Sequence, residues 1–160
     1  MESPVFEVSL ESTHSVRVPT EVVAPFLEAG HKRVKVKAFF ENKEAVYYAA
    51  LQKRIGAYFV MFNKGNQKNL GVYPGDYFQM QFFEDTSKYG VEMPEELEAV
   101  LSTDMDAETV FESFTDGKKR SLIYMISGYK NSQTRIDKSL LLCENLKRGI
   151  RDNKLLLKPL

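Results

Sequence analysis

A pattern that occurs twice constrains this chain more than any single motif. The stretch Ser15 to Phe40, SVRVPTEVVAPFLEAGHKRVKVKAFF, reads as strand, short helix, strand. A shift of 44 positions places Val18 on Phe62, Phe26 on Leu70, Val34 on Phe78 and Val36 on Met80, all within the stretch Ala57 to Phe82. Few identities survive; what matches is apolar alternation, a helix-start residue, an apolar helix position, a turn, then alternation again. Two such units imply a small closed β-barrel with a helix capping each end. One chain supplies both halves, so it can stand as a monomer without strands from a second copy.

Around this frame, Phe6, Val8 and Leu10 alternate with Glu7, Ser9 and Glu11, a half-buried strand. Pro19 suits a first helical turn, where its missing N–H would have no partner, and Gly30 suits the helix end. Glu41-Asn42-Lys43-Glu44 reads as a turn, with Asn42 tolerating positive φ. Six strands in about 80 residues with little helix between them point to a barrel rather than a βαβ sheet. Asp85 to Val91, DTSKYGV, is polar and holds a glycine, so 1–85 is read as the β domain and 86–91 as a linker.

From 92 to 160 the period changes to that of helices. Pro94 with its glutamates starts the first, Asp104 or Asp106 caps the second, Thr115 or Asp116 the third and Ser132 the fourth. The fourth helix carries a stripe of Ile136, Leu140, Cys143, Leu146 or Lys147, and Ile150. The apolar tail Leu155 to Leu160 is expected to pack back on the body. The fold class is therefore α+β: a small β-barrel with short capping helices, then a helical domain.

The residues MPEELEAVLSTDMDAETVFESFTDGKKRSLIYMISGYKNSQTRIDKSLLLCENLKRG resemble the YdeI or OmpD-associated family, labelled bacteriocin-protection. The resemblance rests on the MPEEL start, Asp104, Phe111 with Phe114, the basic-then-apolar run Lys119 to Ile126, and Lys130. Thr134-Arg135-Ile136 and Lys147-Arg148-Gly149 complete it. Family members often place a second basic residue just after the Thr-Arg pair; here Asp137 stands there, followed by Lys138. The preceding half is similar to an uncharacterised small β domain fused to that family, with the double-split barrel of AbrB, MazE and MraZ proteins. The family implies no catalytic residues. It implies a binding or interaction protein linked to envelope or antimicrobial-peptide stress; the alternative is AbrB-like nucleic-acid binding.

Formal net charge is zero, yet its distribution is uneven. Residues 1–85 hold ten bases and ten acids, Glu92 to Asp116 nine acids and no base, and 117–160 eleven bases and three acids. The acidic helices either neutralise the basic ones or leave a basic surface for an anionic partner. Lys118, Lys119 and Arg120 open a helix, where the dipole disfavours cations, so with Arg135 and Lys138 they are the candidate site for an anionic small molecule or protein. A neutral β half and a pI near 6.8 speak against nucleic acid.

No catalytic set, cofactor or metal is expected. His14 falls in a turn and His31 just after a helix end, Cys143 lies on an apolar stripe, and Asn63 to Asn69 lacks the frame of a phosphate loop. A lone cysteine forms no internal disulfide, and no apolar run approaches the ~20 residues of a membrane span. With no signal peptide recognised, the cytoplasm is the expected compartment.

Overall fold

The computed structural model describes residues 1–159; Leu160, the end of the 92–160 reading and of the apolar tail, lies outside the described residues. The fold is mixed α+β with antiparallel sheets. The chain divides into two compact units, Met1–Gly90 and Val91–Leu160.

The first unit holds β1 (Phe6–Ser9), β2 (Ser15–Val18), α1 (Thr20–Glu28), β3 (Arg33–Phe40) and β4 (Lys43–Ala50). It continues with β5 (Gln52–Arg54), β6 (Ala57–Met61), α2 (Lys64–Leu70) and β7 (Tyr77–Glu84). The repeat is thus β2–α1–β3 followed by β6–α2–β7, and like pairs with like: β2 with β6 and β3 with β7, both antiparallel. Each ladder contains a rung whose partners differ by 44 positions, Val16↔Val60 and Lys37↔Gln81. That is the register a two-fold relation between the halves requires. Inward residues of both sheets and both helices meet in one cluster, with Val16, Val36, Val60, Leu70, Met80 and Phe82 fully buried. Phe6 and Phe26 meet Phe82 edge to face, at 5.0 and 6.2 Å between centroids.

The expected closed barrel is corrected. The strands form two open sheets, ordered β1-β7-β3-β4 and β2-β6-β5, and among the described residues one isolated bridge, Leu10↔Val16, joins them. Closure would need every strand paired on both edges. Here β1 and β4 end one sheet and β2 and β5 the other, each with a ladder on one edge alone.

Two turns depart from expectation. Between β3 and β4 the positive φ (54°) falls on Glu41 and not on Asn42. Between β5 and β6 the two turn residues are Ile55 (φ 51°) and Gly56 (φ 74°), the backbone of a type I′ turn. A β-branched residue there is strained, and Ile55 is fully exposed and recovers no burial.

The second unit holds α3 (Glu95–Ser102), α4 (Met105–Glu112), α5 (Asp116–Ser127), α6 (Ser132–Lys147) and α7 (Asn153–Leu156). Asp104 caps α4 and Thr115 caps α5. Asn131, not Ser132, caps α6, its Oδ1 accepting from Thr134 N–H at 3.2 Å. The Ser132 hydroxyl is drawn instead to a buried carboxylate, Glu96 Oε2, at 2.9 Å. The stripe of α6 is also out of phase with the expected one: Ser139, Leu142, Cys143, Asn145 and Leu146 are buried, while Leu140 is 50% exposed.

Two polar residues can sit on that buried face because each is hydrogen-bonded. Ser139 Oγ donates to Arg135 O at 2.7 Å, and Asn145 Nδ2 reaches the carbonyls of Leu156 at 2.9 Å and Lys158 at 3.0 Å. Asn145 thereby holds the tail, whose Leu156 and Leu157 are buried.

Replacing Ile55 by Asn, which tolerates the left-handed region, should raise stability by about 1 kcal/mol. Denaturant unfolding of the Ile55→Asn protein measures this, and an unchanged or lower midpoint would refute the strain. Limited trypsin digestion should cut first at exposed Lys88, leaving two resistant fragments. First cleavage before the end of β7 at Glu84 or after the start of α3 at Glu95 would show that the units do not fold separately.

Candidate functional site

The five candidate cations all lie in the helical unit, and the structure sorts them by partner. Lys119 turns towards carboxylates, its Nζ 3.3 Å from Glu112 Oε2 and 4.0 Å from Asp116 Oδ1. Arg135 Nε donates to Glu96 Oε2 at 3.0 Å, and its Nη1 donates to Tyr129 O at 2.7 Å. Lys138 Nζ donates to Leu157 O at 3.3 Å and lies over the Tyr129 ring. Arg120 is half-buried on the first turns of α5.

Lys118 differs from Lys119 and Arg135 and, like Lys138, is held by a carbonyl and a ring. Its Nζ donates to the carbonyl of Arg151 and sits 4.7 Å from the centre of the Phe114 ring. The Arg151 guanidinium lies over the same ring at 5.9 Å, its Nη1 held by the carbonyls of Leu146 and Ile150. Neither cation forms an ion pair with a carboxylate among the described residues. The structure therefore brings Lys118 together with Arg151, which the sequence reading did not single out. Arg135 and Lys138 instead gather around Tyr129.

Glu96, read from sequence as a helix-start residue, is 8% exposed. Hydrogen bonds from its own backbone N–H and from Ser132, with Arg135 adding to them, hold its carboxyl below the usual carboxylate range against the opposing effect of burial. A signal for this was present: Glu96 and Val100 lie four apart, on one face of α3. Asp104 is also held low, first by the Lys147 ammonium at 2.8 Å and then by the Ala107 N–H that it caps. Lys147 is raised in turn by Asp104 and Glu144.

The remaining candidates have structural uses. Cys143 is buried, and burial pushes its thiol up to about 11, away from nucleophilic use. Asn63 caps α2, while Gln67 Nε2 donates to Thr13 O at 2.7 Å and Phe62 O at 2.8 Å, tying that helix to its neighbours. His31 Nε2 faces Glu84 Oε1 at 3.2 Å. Among the described residues no helix is long and apolar enough to cross a membrane.

Residues 90–149 match the family described as Bacteriocin-protection, YdeI or OmpD-Associated. Among solved structures, the solution structure of PHS018 from Pyrococcus horikoshii is similar, with 15% identity and a TM-score of 0.41. The match covers 56% of this chain and 92% of that one. No curated protein sequence matches the chain.

The two depressed carboxylates set a pH dependence. A carboxyl whose folded pKa lies below its unfolded value of about 4 contributes stability above that value and loses it as pH falls through the folded pKa. The helical unit should therefore melt progressively lower as pH drops below about 4, and Glu96→Gln should flatten that part of the profile. Thermal unfolding across an acid series measures it; an unchanged slope in Glu96→Gln would show that Glu96 is not a source of the dependence.

Proposed function

We propose that this chain is a non-enzymatic binding protein, active in bacteriocin protection through its helical unit and engaging an anionic partner at the start of α5. The reading is carried by the match of residues 90–149 to a family described in those terms. The arrangement of cations supports it. Lys119 and Arg135 are neutralised by Glu112 and Glu96, while Lys118, Lys138 and Arg151 are held by neutral carbonyls; of these Lys118 and Arg151 share one ring, Phe114, and are the pair to meet an anion.

Carbonyl anchoring orients a cation without cancelling its charge. Lys119 and Arg120 share the first turns of α5 and flank the pair; Arg135 and Lys138 are assigned no contact with the ligand. The buried, weakly acidic thiol of Cys143 accords with a non-enzymatic role. The cytoplasm remains the compartment in this reading, and nucleic acid is not adopted as the partner, since ten acids offset the ten bases of residues 1–85.

Phosphate, sulfate or an acidic peptide should raise the melting temperature of the wild type and leave Lys118→Ala/Arg151→Ala unmoved. At 100 times Kd the stabilisation is about 2.7 kcal/mol. Equal responses of the two proteins would refute the anion site. Cells lacking the protein should also survive a bacteriocin challenge less well than cells carrying it; equal survival would refute the protective role.

A further inference from the structure

The phase of α6 leaves apolar surface outside the core. Because Ser139, Leu142, Cys143 and Leu146 face inward, Ile136 is only half-buried and Leu140, one turn further along the same face, is 50% exposed. Ile136 and Ser132 form one side of an open groove of about 540 Å³ whose other side is α3, with Glu95, Glu96, Ala99 and Val100. The helices run side by side in the same direction, joined at one end by Glu96–Arg135 and at the other by Asp104–Lys147, so both walls are held in place. From Ser132 at the groove to exposed Leu140 beyond it, this face of α6 runs about 12 Å, just over two helical turns.

The charge on the groove is one-sided. Of the nine acids between Glu92 and Asp116, Glu96, Asp104, Glu112 and Asp116 are matched by Arg135, Lys147 and Lys119. Glu95, on the groove wall, and Glu98, beside it on α3, are exposed and form no ion pair among the described residues. Neither α3 nor α4 contains a lysine or arginine. An apolar floor under uncompensated carboxylates repels anions and suits a ligand that carries apolar groups and positive charge together.

We propose that the α3–α6 groove is a docking site for a cationic amphipathic peptide, bound as a helix. Its apolar face covers Ala99, Val100, Ile136 and Leu140, and its ammonium groups lie beside Glu95 and Glu98. The match is that of helix-in-groove recognition, in which side chains at i, i+4 and i+7 anchor the ligand and charges along the rim set its orientation. The site is separate from Lys118 and Arg151, so its failure leaves the anion reading standing.

The test is fluorescence anisotropy of the full chain with a labelled 18-residue peptide of leucine and lysine in helical register. The comparison peptide has the same apolar face but glutamate in place of lysine. The lysine peptide should bind with a Kd on the order of micromolar and the glutamate peptide at least about 100-fold more weakly. Ala99→Lys, at an exposed position, and Glu95→Lys should each weaken the lysine peptide about tenfold or more.

The double variant Asp106→Lys/Glu108→Lys makes a larger charge change on α4 and should cost less than about threefold. If it costs as much as Ala99→Lys, the attraction is general charge and the groove is not the site. Absence of binding, or unchanged affinity in Ala99→Lys and Glu95→Lys, also overturns the proposal. So does sedimentation showing a wild-type dimer that Ala99→Lys dissociates, since the occupant would then be a second copy.

Discussion

A carboxylate withdrawn from water must find donors and a positive charge, and in the helical unit Glu96 does so in a way that orients much around it. Ser132 and Arg135, at the first turns of α6, both reach the same oxygen of Glu96. With Asp104–Lys147 beyond the far end of α3, this sets how the two helices lie and which face of α6 turns inward. The consequences reach the surface. Asn131 takes over the cap that Ser132 would have supplied, Ser139 enters the core with its hydroxyl returned to Arg135 O, Ile136 is left at a groove and Leu140 is left exposed. A buried pair of this kind adds little net stability over an apolar one, but it penalises other registers, which would strand the charge.

The β unit rests on a different constraint, the self-pairing of two similar halves. Antiparallel ladders centred on Val16↔Val60 and Lys37↔Gln81 place both helices and both sets of inward residues around one core. This arrangement leaves a ring incomplete at β1, β2, β4 and β5, the end strands of the two sheets. It also concentrates strain at Ile55, where the chain must reverse between β5 and β6 within two residues.

Charge segregation links the two candidate surfaces. Ion pairing within the helical unit consumes part of each excess and leaves carboxylates along α3 and α4 and cations that include Lys118 and Arg151 over Phe114. A chain of zero formal charge thus presents an acidic apolar groove and a basic aromatic patch, two surfaces of opposite chemistry.

Local pattern in the sequence determined what local physics controls. The period-two runs, the change to helical period after residue 91, and caps at Asp104 or Asp106 and at Thr115 or Asp116 depend on residues a few positions apart and were legible, as was the 44-residue repeat; the structure chose Asp104 and Thr115. Of the site, the sequence marked the basic residues and their conflict with the α5 dipole. Tertiary structure alone decided which cation meets which acid, since Glu96 and Arg135 are 39 positions apart and Lys118 and Arg151 are 33. It also decided the phase of α6, because a helix with apolar residues on more than one face is turned by its partners and not by its own periodicity. Barrel closure was undecidable for the same reason: strands alternate alike in a ring and in two open sheets, and only which edges pair in three dimensions tells them apart.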